Sequence, residues 1–233
     1  MKEEIRVEKE RKIKGIISII LSAAGFAGMA FFVKLSGDVP TIQKAMFRNC
    51  VAALIAFVMM RQQGIRYSVP KELRIPLLLR CCFGTLGILC NFWAITYLKL
   101  GDASILQKMA PFFAIVMSIF ILGEKPNKMA IVSVLLALLG AAFVGLPALV
   151  ALLGGFSAGT AYTYVRKVGL GGVKGPVVVF SFSMFSVLIL LPFFLLQYKP
   201  MSIQQTVYLI LAGCSAAVGQ IFVTKAYAYA PAK

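Results

Sequence analysis

Charged residues crowd into 2–14, 61–80, 124–128 and 166–174, and long apolar runs separate them. The stretches 15–33, 49–60, 81–98, 109–123, 129–165, 175–198 and 200–224 carry no Asp, Glu, Lys or Arg. About 20 helical residues cross a hydrocarbon core about 30 Å thick. The period-two alternation of outer-membrane strands is missing, and irregular backbone cannot face lipid. The pattern therefore predicts helical spans at 14–34, 42–60, 76–98, 103–123, 128–145, 147–165, 176–197 and 205–224. The run 129–165 is too long for one crossing, and Gly145-Leu146-Pro147 divides it, because proline cannot continue a helix and suits its first turn. The apolar run after the charged start MKEEIRVEKERKIKG is span-length and lacks a cleavage site, so no signal peptide is predicted. The fold class is all-α: a polytopic helical membrane protein.

Composition agrees. Of 233 residues, 60% are hydrophobic and 14% charged, where soluble domains carry about 25% charge. That balance excludes an ordinary soluble enzyme, a disordered chain and a disulfide-framed secreted domain. The formal charge of +16 would suggest nucleic acid on a soluble protein. On a membrane chain it records cytoplasmic loops rich in Lys and Arg, so membrane lipids rather than nucleic acid are the expected surroundings. With the N-terminus cytoplasmic, the tail cations, Arg61, Arg66, Lys71, Arg74, Arg80, Lys125, Lys128, Arg166, Lys167 and Lys174 all fall on the inner side. The outer connections hold Lys99 and Lys199, with Lys34 and Lys44 near the boundary. A multi-pass protein of the cell membrane with both ends inside is expected.

Cys50, Cys81, Cys82, Cys90 and Cys214 lie within apolar spans without a CxxC pair, and the chain has no His. They read as packing residues, and no metal or cofactor is expected. Phosphate-binding loops are likewise missing from the sequence, and so are nucleophile–base pairs apart from one Ser–Lys spacing.

The chain resembles itself. IISIILSAAGFAGMAFFVK (16–34) aligns with ALVALLGGFSAGTAYTYVR (148–166), Pro40 with Pro176, and NFWAITYLKLGDA (91–103) with IFVTKAYAYAPAK (221–233), at near-constant offset. The repeating unit then holds five helices, and an odd number of crossings inverts the second copy. Inverted repeats recur in secondary transporters, with the substrate site at the repeat interface near the midplane.

The stretch AITYLKLGDASILQKMAPFFAIVMSIFILGEKPN resembles the EamA-type proteins of the drug/metabolite transporter superfamily. It runs from an Ala-rich, Tyr-containing helix end through Pro111 to a closing Leu122-Gly123-Glu124. FVK at 32–34, Pro40 and FRN at 47–49 are similar to that family's first two helices, and AYAYAPAK at 226–233 to the start of its ninth. The resemblance implies ten helices in two five-helix repeats, moving small metabolites across a cytoplasmic membrane, often outward. About eight of the ten are expected here: a charged tail at 1–13, a first repeat at 14–145 and an incomplete second repeat at 147–233. The sequence departs from the family in lacking the last two helices, as in a C-terminal truncation, and in a short connection between spans five and six.

Several residues in the spans are candidates for binding substrate. A cation at the bilayer centre costs about 2.5–3.5 kcal/mol on insertion scales. Arg48, one turn after Lys44, therefore either faces a water-filled cavity or snorkels to the headgroups. Lys108 precedes Pro111, a helix kink that frees a carbonyl nearby. Asn91, Trp93 and Tyr97 in the third span, with Gln220, Thr224 and Tyr227 in the eighth, are repeat-related polar and aromatic positions able to line a pocket. Glu124 beside Lys125 reads as a solvated helix-end ion pair. The spacings Ala24/Gly28, Gly155/Gly159 and Gly213/Ala217 read as close helix packing.

The expected function is secondary transport of a small-molecule substrate, as an exporter of amino-acid-like or other anionic or zwitterionic solutes. Association between copies would cover helix faces left open. Rival readings are a non-transporting membrane scaffold or remnant, and an intramembrane enzyme, for which Ser104 and Lys108 at i, i+4 are the one available pair.

Overall fold

A computed structural model describes residues 2–123 and 128–229. It contains α1 (Lys2–Leu35), α2 (Thr41–Gln62), α3 (Arg74–Tyr97), α4 (Leu100–Gln107), α5 (Ala110–Leu122), α6 (Lys128–Val144), α7 (Leu146–Leu170), α8 (Gly175–Leu196) and α9 (Ile203–Tyr229). No strand occurs among the described residues. Seven segments are long and apolar enough to cross a membrane: α1 from Ile13, α2, α3 with the 3-10 turn before it, α4 with α5, α7, α8 and α9 to Tyr227. The eighth expected span, 128–145, is α6, an apolar helix of 17 residues and shorter than the others. Large apolar side chains such as Leu54, Phe120 and Leu188 point outward, as lipid rather than water as solvent allows.

Two boundaries differ from expectation, and the break between α6 and α7 falls where it was expected. The charged tail expected at 1–13 is helical from Lys2 and continuous with the first span, because Lys, Glu and Arg are strong helix formers. The fourth span, expected as one kinked helix, is two helices. Met109 N–H donates to Leu106 O, and Phe112 and Phe113 N–H donate back to Met109 O, so α5 starts afresh with Pro111 in its first turn. Proline tolerates that position because the N–H it lacks would have no partner there. Between α6 and α7, Gly145 takes φ 99°, a left-handed conformation open to glycine, just before Pro147 in the first turn of α7.

Helix α1 lies along α9, α3 lies along α7, and α2 packs against α8 and α9; α5 rests on α7. These contacts depend on small residues, since lipid gives helices no hydrophobic reason to associate. A Cβ on Gly25 of α1 would fall 2.6 Å from the backbone nitrogen of Gly219 on α9, and Ser22 Oγ donates to Gly219 O at 2.9 Å. A Cβ on Gly159 of α7 would stand 2.7 Å from Phe113 Cβ of α5.

Two apolar clusters occupy opposite ends of the bundle. One gathers Met29, Val33, Met46, Phe92, Ile95 and Leu190; the other gathers Met60, Leu77, Val165, Val168, Val177 and Val178. At the first end the α1–α2 and α8–α9 connections are fastened together. Gln43 Nε2 donates to Lys199 O (2.9 Å), Lys199 N–H donates to Gln43 Oε1 (3.1 Å), and Gln205 Nε2 donates to Ser36 O (3.2 Å). Residues 124–127, with Glu124 and Lys125, and 230–233 lie outside the described residues.

Candidate functional site

Between the two clusters lies a cavity of about 600 Å³, walled by α1, α2, α3, the α4–α5 break, α7, α8 and α9. Most of its wall is small and apolar. Its polar groups are Arg48, Arg80, Asn91, Gln107, Lys108, Tyr162, Gln220 and Tyr227, with Ser22 on α1.

Helix α3 supplies a stripe of Arg80, Gly84, Gly87, Ile88 and Asn91, which is the spacing of one helical face. Arg80 is 1% exposed. Its Nη2 donates to Gln220 Oε1 on α9 at 3.0 Å, and its guanidinium carbon stands 4.1 Å from the centre of the Phe182 ring on α8. Gly84 makes that position available: a Cβ there would clash with Arg80 Nη1 and approach Phe182 Cε2 to 2.7 Å.

Arg48 on α2 is also 1% exposed. Its Nη1 donates to Asn49 Oδ1 at 2.6 Å, and Asn49 Nδ2 donates to Ala45 O at 2.8 Å. The Arg48 guanidinium lies 5.3 Å from the same Phe182 ring, so two cations from different helices share one aromatic side chain. Neither meets a carboxylate among the described residues, and Nε of each is buried without a hydrogen-bond partner.

Burial of a cation costs about 2.5–3.5 kcal/mol at mid-membrane. A desolvated cation–π contact returns about 2 kcal/mol, and a hydrogen bond to a charged group about 1.5–3 kcal/mol. The protein's own groups thus hold both arginines in place, yet leave two charges unneutralised and two N–H donors unused. Arginine presents donors in a planar fork matched to carboxylate and phosphate oxygens. An anionic group entering the cavity would supply what both lack.

Arg48, Asn91, Lys108 and Gln220 all stand on the cavity wall, although they are scattered along the sequence. Asn91 and Gln220 are buried, while Lys108 is exposed in the turn between α4 and α5. Pro111 lines the same region. Lys44 does not join Arg48: its Nζ donates to Gly37 O at 2.8 Å, toward the fastened end. Trp93 and Tyr97 pack on each other, ring centres 4.4 Å apart, off the cavity wall. Two residues beyond Asn91 is about 200° around the helix, which turns Trp93 and Tyr97 away from the stripe.

Arg80, placed by charge pattern among the inner-side cations, lies inside the span 76–98 and is buried on the cavity wall. Its helical spacing from Gly84, Gly87 and Asn91 was the available signal. Phe182 and Tyr162 carried none, each being one aromatic among many. Tyr162 on α7 stacks on Tyr227 of α9, ring centres 5.5 Å apart.

The sequence profile of the EamA-like transporter family matches residues 13–146. The chain is 29% identical over 229 residues to the pseudopaline exporter CntI of Pseudomonas aeruginosa, covering 92% of this chain and 78% of that one. It is 28% identical over 126 residues to human solute carrier family 35 member G1, covering 52% of this chain and 34% of that one. A solved crystal structure shares the fold at 17% identity with a TM-score of 0.65, covering 94% of this chain and 79% of that chain. The bundle surrounds a largely apolar cavity with a few buried polar groups, the matched proteins are transporters rather than enzymes, and the chain belongs to the EamA-like transporter family.

Proposed function

We propose that this protein is a secondary transporter that exports anionic or zwitterionic small metabolites across the cell membrane, with its N-terminus in the cytoplasm. The observation that carries the reading is the pair of fully buried arginines on the cavity wall, neither of which meets a carboxylate among the described residues. A cavity of that charge attracts carboxylates and repels organic cations. The similarity to a pseudopaline exporter supports outward transport of a small solute.

The packing also supports two inverted repeats, 14–145 and 147–233. Exchanging α1, α2 and α3 with α7, α8 and α9 turns the α1–α9 contact into α7–α3 and leaves α2–α8 unchanged. The cavity lies between these two sets, where inverted-repeat transporters bind substrate.

The test is transport in cells or membrane vesicles carrying the chain, with carboxylate, zwitterionic and cationic solutes as competitors. Arg48→Gln and Lys108→Gln should both weaken competition by carboxylates at unchanged protein abundance. Unaltered competition in both variants, or strong competition by cations, would remove the anion reading.

A further inference from the structure

Arg48 and Arg80 do more together than either does alone. They come from different helices, α2 and α3, and each guanidinium is oriented by its own neutral amide, Asn49 for one and Gln220 for the other. Both lie against the single ring of Phe182, at 5.3 Å and 4.1 Å from its centre. Each retains its own buried, unpartnered Nε–H. The amides accept hydrogen bonds without cancelling charge, so two positive charges stand close together in a low-dielectric wall. One carboxylate would leave one of the two arginine charges unbalanced; two would balance both.

We infer that Arg48 and Arg80 form a two-point clamp for a solute bearing two carboxylates, one for each guanidinium. The inference rests on the proposed anion transport and narrows it from anions in general to dicarboxylates. Phe182 lies against both cations, and Gly84 keeps the space that Arg80 occupies. The remaining wall is small and apolar, with the stacked Tyr162 and Tyr227. It accepts a carbon framework, including a planar ring, between or beside the two charged ends.

A matched series of probes separates one-point from two-point binding. Isophthalate, benzoate and benzylamine share a ring and carry two carboxylates, one carboxylate and one ammonium respectively. Binding to the purified full chain in detergent is followed by ligand-dependent thermal stabilisation, read from the fluorescence of Trp93. Isophthalate should half-saturate at a concentration at least about tenfold below benzoate, a difference of about 1.4 kcal/mol, with benzylamine inactive. Arg48→Gln and Arg80→Gln should each bring isophthalate to the level of benzoate. Should either variant fail to fold, the comparison of the three probes on the unaltered protein decides by itself. Equal binding of isophthalate and benzoate, both weakened by Arg48→Gln, would overturn the clamp and leave the anion reading standing. Binding of benzylamine as tightly as the carboxylates, or no response to any probe, would overturn both.

Discussion

Substituting Gly84 by alanine adds one methyl group, and the structure says where it goes. The new Cβ clashes with Arg80 Nη1 and comes within 2.7 Å of Phe182 Cε2. The guanidinium has to leave, since the methyl is fixed to the helix backbone. Arg80 then loses its contact with Phe182, about 2 kcal/mol when desolvated, and its hydrogen bond to Gln220, about 1.5–3 kcal/mol. Alanine recovers about 1 kcal/mol over glycine inside a helix. The net loss is on the order of 3 kcal/mol. For a chain of this size, about 2–4 °C of unfolding temperature accompanies each kcal/mol, so Gly84→Ala should unfold about 6–12 °C earlier. The decisive assay is a double-mutant cycle with Arg80→Ala, measured by thermal unfolding in detergent. Once the guanidinium is gone, Phe182 can shift into the vacated space, and Gly84→Ala should then be nearly neutral. A coupling above about 1 kcal/mol is the signature of residues in direct contact. Equal destabilisation by Gly84→Ala with and without Arg80, or stabilisation by it, would show that the methyl group does not act through Arg80.

Two further predictions concern orientation and movement. Fusing a reporter active only in the cytoplasm after Arg74, Lys128 or Lys174 should give signal, and fusions near Gly101 or Lys199 should be silent; signal at Gly101 would reverse the orientation. Gln43→Leu removes two of the three hydrogen bonds between the α1–α2 and α8–α9 ends, leaving that of Gln205 to Ser36 O. It should therefore speed labelling of an Asn91→Cys thiol by a membrane-impermeant reagent added from the Lys199 side, in a protein lacking its native cysteines. Unchanged labelling would mean that this contact does not keep that end closed.

Much of this architecture is local, and local features are legible. A run of 20 apolar residues has to cross the membrane as a helix, because the backbone has no other way to satisfy its hydrogen bonds there. Gly145-Leu146-Pro147 divides two helices through the chemistry of its own residues, and Pro111 interrupts the fourth span for the same reason. The break falls at Lys108 and Met109 instead of at the proline itself. That follows from the turn that proline needs before it, and a single residue type does not specify it. The cations at Arg48 and Lys108 were legible as well, because a charge in an apolar span is conspicuous.

Which way each helix turns was not legible. In a soluble bundle the apolar stripe faces the core and the polar face meets water. Here lipid and protein interior are equally apolar, so the sequence carries little record of which face meets a neighbour. Trp93 and Tyr97 were therefore as plausible on the wall as Asn91, and only the packing of α3 against α7 and α8 turned them away. Arg80 looked like one more loop cation until burial beside Gln220 and Phe182 placed it in the cavity. By itself, the sequence determined a helical membrane protein, seven of its spans and the break at Gly145-Leu146-Pro147, because hydrophobic length and proline chemistry act within one segment. The tertiary structure alone decided that Arg48 and Arg80 meet at one ring. That meeting depends on how α2, α3 and α8 pack across long separations in the chain, where close contact between small residues, and not hydrophobic pattern, selects the faces that touch.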